Sequence, residues 1–127
     1  MLTLPFFLLA LALPSQGDAC RPLFEEAAAA VGPAVAGTAS ADLRDLLRLS
    51  RRARACYADA EPAQRAELYN YETYALSALQ RYDEAREAFD VFFRTLLPAA
   101  DSSLKAKMYA RSGFVAKGAG DFTRMQA

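Results

Sequence analysis

Residues 76–93 read LSALQRYDEAREAFDVFF, and this stretch decides the fold of the chain. Apolar residues of helical spacing precede and follow a polar break at residues 80–83, where Asp83 is the expected N-cap of the second helix. Helices that are joined by so short a link pack antiparallel. The stretch therefore predicts a hairpin of two helices.

The sequence around this hairpin also has a helical pattern. Pro62 begins the first helix of the hairpin, and Pro98 ends the second. The last predicted helix, which is the fifth along the chain, is expected to begin at Asp101 or Ser102 and to end in the Gly-Ala-Gly of residues 118–120. Its apolar stripe consists of Leu104, Met108, Tyr109, Ala110, Phe114 and Val115.

Two more helices are expected ahead of the hairpin. The first is short, because it begins at Pro22 and stops at the Gly-Pro of residues 32–33. Residues 33–40 then form a connector, with Thr38 or Ser40 as the N-cap of the second helix. That helix has an apolar stripe formed by Leu43, Leu46, Leu47, Ser50, Ala53 and Tyr57. The fold class that these patterns predict is all-α.

Five arginines lie largely off the stripe of the second helix, at positions 44, 48, 51, 52 and 54. They form either an anion-binding patch or a solvated face whose partners include Asp42 and Asp45. Fifteen basic residues balance fifteen acidic ones in the whole chain, so the zero net charge favours the solvated face. For the same reason we expect no nucleic-acid partner.

The 127 residues leave room for one small domain, and their composition argues against catalysis. The chain has no histidine, which is the commonest general base and the commonest metal ligand of enzymes. No glycine-rich stretch is followed by the Lys-Ser or Lys-Thr pair of a phosphate-binding loop. We therefore expect a protein that is not an enzyme and that has no catalytic residues, no cofactor and no metal site.

The first fourteen residues, MLTLPFFLLALALP, fit the apolar part of a signal peptide. They are too few to span a bilayer, and small residues allow cleavage after Gly17 or after Ala19. A buried N-terminal helix is the alternative, but Pro5 and Pro14 would break it. We therefore assign residues 1–19 to a signal peptide and expect a periplasmic or secreted protein with no membrane span after cleavage.

Cys20 and Cys56 are the only cysteines of the chain. In an oxidising compartment, two cysteines most simply form one disulfide. Two alternatives stay open: Cys20 could carry the lipid anchor of a lipoprotein, or Cys56 could be a small buried apolar residue.

Tyr82, Glu84, Ala85 and Phe89 form the pattern Y-x-E-A-x-x-x-F directly after the turn, and here the chain resembles a tetratricopeptide repeat. The best repeat covers residues 62–98. A partial repeat covers residues 102–127, with a second turn in Gly120, Asp121 and Phe122. The resemblance implies that residues 20–127 form antiparallel helix hairpins stacked as a short α-solenoid. An ordinary helix bundle, whose aromatic stripe is its core, is the alternative.

Proteins of this family bind peptides or partner helices on a concave face that is lined by the first helix of each hairpin. The resemblance thus implies an exported, non-enzymatic scaffold with a protein or peptide partner. The residues expected on its face are Asn70, Glu72, Thr73, Ser77, Lys107, Arg111 and Ser112. These residues could equally be solvent-exposed without a partner. Two other functions stay open: the input part of a longer envelope signalling protein, and a plain helical secreted protein or lipoprotein.

Overall fold

The computed structural model describes residues 16–37 and 39–118 of the chain. The described part has no strand and is all-α, as the sequence predicts. Its elements are α1 (Gln16–Gly37), α2 (Ser40–Tyr57), α3 (Pro62–Ala78), α4 (Tyr82–Thr95), a 3-10 turn (Leu97–Ala99) and α5 (Ser102–Gly118).

Three predictions fall partly or wholly on residues outside the described ranges. Residues 1–15 of the predicted signal peptide lie outside, whereas its last four positions belong to α1, which begins at Gln16. Thr38, the first candidate N-cap of α2, also lies outside. So do Gly120, Asp121 and Phe122, the second turn of the predicted repeats.

Helix α1 is longer than the sequence predicts, because it continues through Pro22 and Pro33. A proline inside a helix leaves the carbonyl four residues earlier without its N–H partner. The residues four positions before the two prolines are Asp18 and Ala29, and both of them, like the prolines, are exposed to water.

The opposite side of α1 compensates for the two prolines by burial. This side packs on α2 and on α3, and its fully buried residues are Cys20, Ala27 and Ala34. The predicted stop at residues 32–33 and the connector at residues 33–40 are therefore wrong. A helix whose prolines all face solvent loses little stability when it continues through them.

The start of α3 at Pro62 and the start of α5 at Ser102 are confirmed. Asp101 caps α5, because its Oδ1 accepts a hydrogen bond from the Leu104 N–H at 2.8 Å. Ser40 as the N-cap of α2 is wrong, since Ser40 is already helical and Ala39 precedes it.

The cap assignment at Asp83 is also wrong, because α4 begins one residue earlier, at Tyr82. The reason is the way in which α3 ends. Gln80 adopts a left-handed conformation with φ 60°, and the Arg81 N–H bonds back to the Leu76 carbonyl at 2.8 Å. This hydrogen bond closes α3 in a tight C-terminal turn, so the next helix can begin at once.

Each helix packs on the next one along the chain, and α3 also packs on both α1 and α5. The main core runs from α1 to α5, and its largest fully buried side chains include Leu46, Leu76, Phe92 and Met108. A smaller core around Cys20, Leu49, Tyr57 and Leu68 joins α1, α2 and α3. Helix α3 is therefore the central element of the described fold.

The phenylalanines of α4 pack against the rest of the fold. Phe89 and Phe92 are buried, and Phe93 stacks on Tyr109 of α5 with ring centroids 4.6 Å apart. The stripe predicted for α5 is partly wrong, because Tyr109 and Phe114 are 56% and 58% exposed. Within residues 102–118 of α5, only Leu104, Met108 and Val115 are buried.

Candidate binding groove

Two adjoining cavities lie along α3 on the side that faces α1 and α5. The first has a volume of about 440 Å³, and residues from all three helices line it: Val31, Val35, Tyr71, Tyr74, Lys107 and Arg111. The second has a volume of about 590 Å³ and is lined by Tyr74, Ser77, Tyr82, Lys107, Arg111 and Phe114. We call the two cavities together the α1–α3–α5 groove. Tyr74, Lys107 and Arg111 belong to both cavities and form the junction between them.

Apolar side chains in this groove remain open to solvent. Val35 at the far side of the first cavity is 48% exposed, and Phe114 at the second cavity is 58% exposed. Large apolar residues are exposed at few other places in the described chain, so their position in a groove points to a binding surface.

Arg111 holds the junction in place. Its Nη1 donates to the Asn70 carbonyl at 2.9 Å, to the Asn70 Oδ1 at 2.9 Å and to the Thr73 Oγ1 at 3.0 Å. Its guanidinium carbon lies 5.5 Å from the centre of the Tyr74 ring. These contacts fix the guanidinium group of α5 against α3.

Burial lowers the pKa of Arg111 from its usual value, because the packed side chain is separated from water. Its hydrogen-bond partners are neutral, and no carboxylate of the described chain forms an ion pair with it. Lys107 lies one helical turn before Arg111 on the same face and is exposed. The junction therefore carries two positive charges.

The carboxylate of Glu67 lines the first cavity but is already engaged. Its Oε1 accepts a hydrogen bond from the Asn70 Nδ2 at 3.1 Å. Burial, the charge of Glu67 and a hydrogen bond to Glu67 raise the pKa of Tyr71 to about 12. Glu67 is therefore a partner of Asn70 and Tyr71 in the wall of the cavity.

A second polar cluster lies on the other side of α3. The Glu72 carboxylate is almost fully buried, with only 3% of the side chain exposed. Its oxygens accept hydrogen bonds from the Nε of Arg51 at 3.1 Å and from the Nε of Arg54 at 2.9 Å. The guanidinium of Arg54 also lies 4.5 Å from the centre of the Tyr69 ring. Glu72 therefore joins α3 to α2.

Arg51 extends this cluster to α4, since its Nη2 donates to Glu84 at 3.2 Å. Hydrogen bonds from Arg81 and from Arg51, together with their charges, lower the pKa of Glu84. Among the five arginines of α2, the expected pairing within the helix is found for Arg48 with Asp45, at 2.7 Å. Arg51 and Arg54 instead pair with other helices, so they are structural links.

The structure places the seven residues of the predicted face in three different environments. Asn70, Ser77, Lys107 and Arg111 line the groove. Thr73 is fully buried, and its hydroxyl donates to the Tyr69 carbonyl at 2.8 Å. Glu72 lies in the cluster on the other side of α3, and Ser112 is half-buried and lines neither cavity.

The interpretation of the sequence missed the apolar half of the groove. Its residues on α3 and α5 could have been found from helical spacing, because Tyr71, Tyr74 and Ala78 recur at i, i+3 and i+7. Lys107, Arg111 and Phe114 recur at i, i+4 and i+7. The contribution of Val35 could not be found, because the helix was expected to stop at residues 32–33.

The disulfide between Cys20 and Cys56 is present in the structure. The two sulfurs are 2.10 Å apart and the Cα atoms 5.7 Å. The bond joins the first turns of α1 to the end of α2. It therefore anchors the helix that supplies one wall of the groove.

At the other end of the groove, the backbone of Gly118 lies against the ring of Tyr82. A Cβ at position 118 would come within 2.7 Å of the Tyr82 Cζ. Glycine is therefore the residue that allows the end of α5 to approach a side chain of the second cavity so closely.

No protein-family model, no curated protein and no solved structure matches this chain. In the two described ranges, no helix has both the length and the apolar character that a bilayer span requires. Nor do these ranges contain a group of three or more acidic residues or cysteines arranged to hold a metal ion. The function must be argued from the groove.

Proposed function

We propose that the chain is an exported, non-enzymatic, tetratricopeptide-like scaffold that binds a peptide segment of a partner protein in the α1–α3–α5 groove. The observation that carries the proposal is the pair of adjoining apolar cavities along α3. Residues of α1, α3 and α5 supply most of the lining, beside Leu46 of α2 and Tyr82 of α4, and this supports the proposal that the groove is the concave face of a short solenoid.

The proposed ligand is a peptide because the groove is long and open and combines apolar side chains with polar and charged ones. Its two cavities share one wall, so a ligand that fills both must extend past Tyr74. Extended polyproline II segments are among the ligands that grooves lined by aromatic residues bind.

Export is supported by two independent features. The uncharged apolar stretch at residues 1–14 has the composition of a signal peptide. The disulfide belongs to proteins of oxidising compartments, which include the periplasm and the extracellular space. We propose that residues 1–19 are removed and that residues 20–127 form the mature domain.

Selection from a library of random peptides tests the groove. We expect the wild-type protein to enrich peptides whose binding is lost in Phe114→Ser. Tyr109→Ser is the matched control, because Tyr109 lies on the same helix with nearly the same exposure but stacks on Phe93. Peptides that bind both variants equally well, or a folded protein that enriches none, would refute the proposal.

Export is tested separately with a reporter enzyme that is active only after its own disulfides form. Residues 1–30 fused to this reporter should make it active in the periplasm. The measured mass of the exported chain should match a chain that begins at Asp18 or at Cys20. An intact Met1 on the exported chain would contradict cleavage.

A further inference from the structure

Lys107 and Arg111 line both cavities of the groove and therefore lie at the junction between them. We propose that they bind the acidic side chain of a peptide, and that two apolar side chains of this peptide, one before and one after the acid, fill the two cavities. This inference rests on the proposed function and names the chemistry of its ligand.

The first argument is the state of the Arg111 guanidinium. Nη1 donates to three acceptors of α3 and to the Met108 Sδ of its own helix at 3.7 Å, whereas Nε and Nη2 make no hydrogen bond to another described residue. One side of the group is thus anchored, and the remaining donors are free to bind a ligand. Paired donors on a planar guanidinium match the two oxygens of a carboxylate.

The second argument is charge. Neither Lys107 nor Arg111 forms an ion pair within the described ranges, and Glu67 is held by Asn70 and Tyr71. The lining of the groove therefore carries one more positive than negative charge. An anionic group at the junction would meet an arginine that is already held in position, so little entropy of the Arg111 side chain is lost on binding, and Lys107 adds a second positive charge.

The third argument is distance. The α3 residues of the first cavity are Glu67, Asn70, Tyr71 and Tyr74, and those of the second are Tyr74, Ser77 and Ala78. The centres of the two sets are about six residues apart, which is about 9 Å along a helix. A polyproline II segment repeats one face every three residues, also about 9 Å.

These distances define the ligand. Its apolar side chains are three residues apart, and the acidic residue lies between them. Because the cations lie at the junction of two cavities, the acid belongs to the interior of the segment and not to its C-terminus.

The test is a selection from a library in which each random peptide is joined to other sequence at both ends, so that no free terminal carboxylate is present. We expect wild-type protein to enrich peptides with Asp or Glu between two apolar residues three apart. For one such peptide, acetylated and amidated, replacing the acid by its amide should weaken binding about tenfold.

Three variants complete the experiment. Lys107→Glu should weaken the same peptide at least tenfold and should select peptides without the central acid, whereas Lys105→Glu, which lies outside both cavities, should leave affinity unchanged. Arg111→Lys keeps the charge but loses the planar donors, so it should weaken the acidic peptide and not its amide. Circular dichroism of each variant verifies that α5 is still folded.

Two results would overturn the inference. Peptides that depend on Phe114 but carry no acid would refute it while leaving the proposed function intact. A second library with free C-termini is screened in parallel, and peptides enriched from that library alone would also refute the inference. If no peptide from either library depends on Phe114, the proposed function itself fails.

Discussion

Removal of the disulfide should destabilise the chain strongly, and its cost can be worked out from the connectivity. Cys20 and Cys56 are 36 positions apart. In the chain-entropy model, opening a loop of this length restores about 13 cal/mol/K to the unfolded chain. At 25 °C this corresponds to about 4 kcal/mol, which is a large part of the 5–15 kcal/mol that stabilises a typical small domain.

The perturbation is the double substitution Cys20→Ala and Cys56→Ala, measured by urea unfolding at 222 nm against the oxidised wild type. We expect the free energy of unfolding to fall by about 4 kcal/mol, plus a smaller loss for the buried sulfur of Cys20. Reducing the wild type should give a similar fall. The m-value should increase, because the unfolded chain without the cross-link exposes more surface.

The reasoning would be refuted if the double variant lost less than about 1 kcal/mol, since that would mean that the cross-link does not restrict the unfolded chain. The loss of stability could instead be confined to α1. Hydrogen exchange would then show the first turns of α1 unprotected while α3 and α4 keep their protection.

Three further results are expected. Glu72→Ala leaves Arg51 and Arg54 without their buried partner and should lower the free energy of unfolding by about 3 kcal/mol in urea, whereas Asp45→Ala, which breaks an exposed pair, should change it by less than about 1 kcal/mol. Tyr71 has a folded pKa of about 12, above its unfolded value near 10, so its contribution to stability is complete below pH 10 and is lost as the pH rises toward 12. Absorbance at 295 nm should show a late ionisation whose amplitude is smaller by one tyrosine in Tyr71→Phe, because burial also raises the pKa of Tyr57 and of Tyr69. Pro33→Ala restores the hydrogen bond to the Ala29 carbonyl and should raise the melting temperature; a lower melting temperature would show that the proline is required for the course of α1.

The sequence predicts the central hairpin and the disulfide because their signals are local. Pro62 and Asp101 mark helix starts by their own chemistry, and two cysteines admit only one intramolecular pair. The length of α1 depends on something that a local pattern does not contain. Whether a proline ends a helix depends on whether its side of the helix faces water, and this follows from packing on α2 and α3.

Only part of the groove lining was predicted, because burial of the other predicted residues also depends on contacts within the fold. Thr73 and Ser77 are polar by type, yet each hydroxyl bonds to a carbonyl four residues earlier in α3, at 2.8 Å and 2.6 Å. Glu72 is buried because arginines from another helix reach it. A single sequence shows which residues are polar, but it does not show which of them find a partner inside the fold.

The close approach of Gly118 to Tyr82 has a consequence for regulation. Tyr82 is a wall of the second cavity, and the polypeptide leaves α5 directly beside it. Anything that displaces the end of α5 toward the ring must change the width of that cavity. By thermodynamic linkage, a ligand in the cavity would act back on the position of the end of α5 with the same free energy. The second cavity and the end of α5 are therefore coupled through the contact between the Gly118 backbone and the Tyr82 ring.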